Sequence, residues 1–271
     1  MVSSEIQQLM HFAATQKMDV NQRIAFFSER GKGTPYVLFC LGEGPTAKYD
    51  RDPLIDFNRV DCMTFCEQIL ALSISRDYPE MFNNLQRIRY RNGAIDMLTR
   101  NHYTISDWLP ANAWLLSDAT KTIGGTLCAA MTKTIDRKAF FITTGIAESD
   151  LQAALPPQTM TVDYVPNAHL LDVTGNLKGG EIVSIVTSRP GIISAHMGFI
   201  IRERGGLIFR HAASKPEVLK VVDEPYEQMV QTLRKSENRV GMIFMRIRED
   251  YQLPEMPDPH STNDAGNGTH R

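Results

Sequence analysis

The apolar pattern of this chain changes character once, and that change limits the folds open to it. Up to about residue 100 apolar residues recur at helical spacing; beyond about residue 138 they gather in short β-rich runs broken by Gly, Pro and Asn. "SSEIQQLMHFAATQ" starts on a cap-like serine and carries Ile6, Leu9, Met10 and Phe12, which predicts a helix. "VNQRIAFFSERGKG" predicts a second one that ends on glycine, and "GTPYVLFCLGEGPTAKYDRDP" a long loop with one short extended piece. "RVDCMTFCEQILAL" predicts a helix running to about Ser75, and residues 79–100 a mostly helical stretch weakened at Asn92 and Gly93. "NHYTISDWLPANAW" reads as an irregular, aromatic-bearing loop. In the second half "KAFFITTG", "TVDYVP", "EIVSIVTS", "HMGFIIR", "GLIFRHA" and "VGMIFMRIR" read as strands, with an amphipathic helix in "EPYEQMVQTLRKSEN" between the last two. Helices first and strands second give an α+β fold. Residues 1–252 form one domain on this reading, and 253–271 a polar tail too poor in apolar groups to order itself.

Composition excludes several functions. A formal net charge of −2, with no Lys/Arg run longer than two, argues against nucleic acid or an anionic membrane as the main partner. No apolar run approaches the length of a membrane span. "MVSSEIQQLMHFAATQKMDV" lacks the basic and apolar regions of a signal peptide, so compartment stays open. Four cysteines in 271 residues make no disulfide framework.

Two of those cysteines, Cys62 and Cys66, sit one turn apart behind Asp61, a good N-cap. The positions are physically unequal. Cys62 falls where unpaired helix N–H groups and the helix dipole favour an anion, which lowers a thiol pKa. Cys66 lies one turn deeper and behaves as a small hydrophobe. From the helix alone Cys62 is a nucleophile or another core cysteine. A metal clip is the weaker alternative, because no second Cys/His pair of ligand spacing exists; neither metal nor cofactor is expected.

The histidines bear on that choice. In "HMGFIIRERGGLIFRHAAS" a two-residue turn at Arg204 and Gly205 sets Gly198 opposite His211 and His196 opposite Ala213. His196 and His211 then become diagonal neighbours on one sheet face, with Cα atoms about 7–8 Å apart. Facing a helix start that carries a cysteine, they have the layout of nucleophile, base and orienter.

"GTPY", "GEGP", "DCMTF", "GGEIVSI", "HMGFII" and "FRHAAS" occur in the order that resembles the NlpC-type cell-wall cysteine peptidases and amidases of the papain-like superfamily. With "RIRYRNG" and "RNHYTISDW" added, the chain is most similar to the branch described as N-acetylmuramoyl-L-alanine amidases, from about Gly33 to Arg248. The resemblance implies a papain-like fold with the nucleophile at a helix start, packed on a mainly antiparallel sheet that carries the histidines. It implies Cys62 as nucleophile, His196 as general base, His211 as its orienter and Tyr36 beside the oxyanion. Segments inserted at about 79–115, absent from minimal NlpC domains, would bind substrate through Arg89, Arg100, His102, Asp107, Trp108 and Asn112, with Trp108 stacking on a sugar. Met63 and Thr64 replace the Ser-Gly that follows the cysteine in most of the superfamily. The implied partner is a peptidoglycan fragment or the wall itself, which points to the periplasm or outside. The implied reaction cleaves the muramoyl-L-alanine amide; the alternatives are a stem-peptide endopeptidase and a non-catalytic muropeptide binder.

Overall fold

The computed structural model describes residues 3–151 and 155–254. From residue 255 onward the expected polar tail lies outside the described residues.

Helices come first. α1 (Ser3–Thr15), α2 (Val20–Arg30), α3 (Cys62–Ile74) and α4 (Tyr78–Arg89) pack as a layer. The last three are capped by aspartates, Asp19, Asp61 and Asp77, whose side chains accept otherwise unpaired N–H groups. α5 (Leu109–Ala111), α6 (Thr120–Gly124) and α7 (Arg137–Thr143) are short, and α8 (Tyr226–Arg234) returns late in the chain.

Eight strands are described: β1 (Leu116–Asp118), β2 (Ala129–Ile135), β3 (Gln158–Pro166), β4 (Glu181–Thr187), β5 (Ser194–Glu203), β6 (Gly206–Ala213), β7 (Lys220–Pro225) and β8 (Arg239–Ile247). They form an antiparallel sheet in the order β2-β3-β8-β4-β5-β6-β7, with β1 also on β8. The α+β class expected from the sequence is the observed one.

The sheet has two covered faces, and the alternation of its side chains assigns residues to each. Met197, Phe199 and Ile201 of β5 belong to one core with Phe65 and Ile69 of α3; Phe65 and Phe199 meet edge to face at 5.9 Å. Ile200 of β5 and Phe209 of β6 belong to a second core with Tyr226 and Met229 of α8. Central β4 is buried along its whole length, as a strand covered on both sides must be. Buried Arg210 fastens the sheet to the helical layer: it donates to the Ala25 carbonyl of α2 at 3.1 Å and pairs with Asp223. Among the described residues no helix is long and apolar enough to cross a membrane.

Several local expectations are corrected. "KAFFITTG" is mostly α7, not a strand, because the Asp136 side chain caps it through the Ala139 N–H. "NHYTISDWLPANAW" is not an irregular loop. It makes a π turn over Thr104–Trp108 that runs into α5, locked by Asn112 donating to the carbonyls of Ile88 and Trp108, both at 2.9 Å. In 79–100 the α-helix stops at Arg89 and only a 3-10 turn, Arg91–Gly93, follows, with Asn92 in the left-handed region at φ 56°. β1, β2 and β7 were not anticipated.

The hairpin register is the expected one: Phe199 lies opposite Arg210 and Glu203 opposite Gly206. Gly198 is required there by space. A Cβ on it would meet the Phe209 ring at 2.6 Å and the Arg210 carbonyl oxygen at 2.8 Å. Gly198→Ala should therefore destabilise the fold by about 1–3 kcal/mol, through displacement of a packed ring; urea unfolding of the two proteins measures the difference.

Candidate active site

The site is assembled by one carboxylate and three strands. Asp61 Oδ1 accepts the N–H groups of Met63 (3.0 Å) and Thr64 (2.8 Å), and Thr64 Oγ1 accepts the Asp61 N–H at 2.8 Å. This capping box makes Cys62 the first residue of α3. The second carboxylate oxygen accepts the Phe39 N–H at 3.2 Å, which ties the preceding loop to the same point. Cys66 is fully buried, as expected of a core cysteine.

β5, β6 and β7 supply a diagonal row. His196 Nε2 and His211 Nδ1 lie 2.7 Å apart, and His211 Nε2 is 3.7 Å from Glu224 Oε2. Glu224 pairs across from Phe209, and the Phe209 ring stacks on His211 at 4.6 Å. A carboxylate only accepts, so the arrangement favours the proton of His211 on Nε2. His211 Nδ1 then accepts from His196 Nε2–H, which leaves His196 Nδ1 as a bare acceptor.

One part of the expected layout is corrected. His196 and His211 do share a sheet face, but it is the face covered by α8, whereas α3 packs on the other. Cys62 and His196 both border a cleft at the end of the sheet instead. The β4–β5 register skips Ala195, a bulge that bends the strand just before His196. There Cys62, His196 and Met197 line one cleft of about 240 Å³.

The electrostatics also depart from expectation. Cys62 retains some exposed surface, yet the atoms packed around it make burial the largest effect; together with the Asp61 charge it pushes the thiol up to about 12. The amides of Met197, Cys62 and Met63 pull the other way and lose. Burial, then His211 and Arg239, holds His196 well below the usual histidine range. Burial thus disfavours both the thiolate of Cys62 and the imidazolium of His196. The Tyr36 phenol is raised by burial and then by the charges of Cys62 and Asp61.

The remaining expected residues divide. Arg89, Arg100 and His102 line the cleft. Arg89 is buried, with Nε 3.4 Å from Glu67, whose carboxyl burial raises to about 7 against the pull of that arginine. Arg100 is held by Glu43 and Asp50. His102 packs on Phe140 and Phe141, donates from Nε2 to the Met97 carbonyl at 2.8 Å, and is pushed down to about 4 by burial. Asp107 pairs with Arg137 in a neighbouring cavity of about 650 Å³. Trp108 and Asn112 are not at the site: both are fully buried, Trp108 in the core and Asn112 bonding backbone. A ring with no exposed surface cannot stack on a ligand. Glu224 and Phe39 were missed. Glu224 would have shown itself had "KVVDEP" been read as a strand beside β6, by period two. Among the described residues no group of three or more His, Cys, Asp or Glu is placed to hold a metal ion.

A cysteine at a capped helix start and one member of a hydrogen-bonded histidine pair thus line a single cleft on an α+β scaffold. The chain belongs to the AmiA-like, N-acetylmuramoyl-L-alanine amidase-like family, whose model matches residues 26–237. Among solved structures it is similar to a Legionella pneumophila protein of the family DUF1460, with TM-score 0.81, 26% identity, and 94% of this chain and 95% of the other covered. It is also similar to an N-acetylmuramoyl-L-alanine amidase from Bacteroides uniformis, with TM-score 0.69, 25% identity and 85% and 99% covered. A Bacteroides fragilis protein provisionally named a xylanase follows, with TM-score 0.63, 28% identity and 81% and 98% covered. No curated protein sequence matches the chain significantly.

With its pKa above the working range, the Cys62 thiolate fraction grows about ten-fold per pH unit. Iodoacetamide should label Cys62 before buried Cys66, at a rate that keeps rising from pH 7 to pH 9. A rate already level below pH 7, followed by peptide mass spectrometry, would reveal a preformed thiolate instead.

Proposed function

We propose that this protein is a cysteine amidase of the NlpC-type, papain-like kind that cleaves the amide between the lactyl carboxyl of N-acetylmuramic acid and L-alanine in peptidoglycan fragments. The observation that carries the reading is the 2.7 Å His196–His211 contact, which leaves an acceptor nitrogen of His196 for the cleft that holds Cys62. A non-catalytic binder has no need of that set.

In the reaction, the Cys62 S–H proton passes to His196 Nδ1 as the sulfur bonds the amide carbon. The oxyanion develops at the start of α3. The Asp61 carboxylate occupies the N–H groups of Met63 and Thr64 but not that of Cys62, which is therefore a donor for it, with the Tyr36 hydroxyl alongside. The C–N bond then breaks as His196 gives its proton to the leaving L-alanine nitrogen. Water, deprotonated by His196, attacks the thioester; the C–S bond breaks, and the sulfur recovers its proton. Burial favours the neutral thiol, so on this reading His196 acts as a true general base in the first step. His211 holds the imidazole in its reactive tautomer, and Glu224 stabilises the charge that the pair acquires.

Two experiments test this. Mass spectrometry of a disaccharide-tetrapeptide muropeptide should show free disaccharide and intact tetrapeptide with wild type and neither with Cys62→Ala. Cleavage inside the peptide would move the specificity to an endopeptidase; no cleavage would remove the amidase reading. Glu224→Gln should lower kcat by about ten-fold with KM little changed, a split expected of a group that acts through His211 and not on substrate.

A further inference from the structure

The cleft around Cys62 continues past the catalytic groups. Phe39, Arg100 and His102 line both it and an adjoining cavity of about 520 Å³. The second cavity sets the rings of Phe39, Tyr49 and Phe140 beside the charged side chains of Asp50, Arg51 and Asp52. Asp50 is committed to Arg100; Arg51 donates to the Ala47 carbonyl and Asp52 pairs with Arg59 at 3.5 Å, yet Arg51 is exposed and Asp52 keeps 43% of its side chain exposed.

Phe39 is unusual in two ways. At 65% it is the most exposed large apolar side chain among the described residues. Its backbone stands at φ 56°, in the left-handed region that a bulky residue enters only at a cost. The hydrogen bond from its N–H to Asp61 Oδ2 holds it there. Since the other oxygen of that carboxylate caps α3 at Cys62, ring and nucleophile are fixed to one group. An exposed ring held in a strained conformation at the cleft that Cys62 lines is explained by a ligand, since none of the described residues covers it.

We propose that this cavity is the saccharide subsite, with Phe39 as the platform on which a pyranose ring lies. A pyranose has an apolar C–H face and a rim of hydroxyl and amide groups. It therefore fits a cavity that offers aromatic faces together with carboxylate and guanidinium groups. Arg51 and Asp52 are the rim partners. The inference takes its substrate from the amidase reading, but its test does not depend on turnover.

The probe is the disaccharide N-acetylglucosaminyl-N-acetylmuramic acid, titrated by calorimetry into Cys62→Ala protein. Binding is expected, weakened about ten-fold by adding Phe39→Ala and restored to within about three-fold by Phe39→Trp in its place. Failure of the Cys62→Ala protein to bind the disaccharide, or binding indifferent to Phe39→Ala, overturns the subsite. Phe39-dependent binding alongside a wild type that cleaves no muropeptide would instead defeat the amidase reading and leave the subsite in place.

Discussion

The carboxylate of Asp61 is the constraint on which the site depends. A helix begins with N–H groups that have no partner inside the helix, and where the cap sits decides which residue comes first. Here the cap occupies Met63 and Thr64, so α3 starts at Cys62. Its remaining oxygen reaches back 22 residues to hold Phe39. One buried side chain thus sets the position of the thiol, the direction of the helix dipole behind it and the wall of the cleft in front of it.

The same carboxylate also bears on the thiol's proton. Helix-start amides favour a thiolate, but they act here against burial and against a negative charge on the adjacent residue. Burial is the larger effect, and it favours the neutral thiol. His196 is itself buried, which disfavours its charged form, and the His211–Glu224 row continues from it across the sheet.

The segment over residues 100–115 contributes differently from what its composition suggests. Trp108 and Asn112 build the wall: the ring fills the core, and the amide stitches α4 to the π turn. What reaches the cleft is Arg100 and His102, each held by neighbours within the protein. The exposed aromatic surface comes from the loop before α3, at Phe39, where the chain carries no regular pattern at all.

Features governed by neighbours along the chain were legible in the sequence. The cap at Asp61, the span of α3, the inequality of Cys62 and Cys66 in burial, and the β5–β6 register with its diagonal histidines all follow from period, turn length and capping chemistry. So did the α+β class, because helical and strand patterns are separated along the chain. Only the tertiary structure decided what depends on distant partners. "KAFFITTG" is apolar enough for either strand or helix, and the cap at Asp136 settled it. β1, β2 and β7 are short or polar and exist because an adjacent strand pairs with them. Which sheet face α3 covers, how deep Cys62 and Trp108 lie, and the meeting of Glu224 with His211 are set by packing between segments far apart in sequence. Burial, and with it the protonation of the thiol, belongs to that assembled environment and not to any local run of residues.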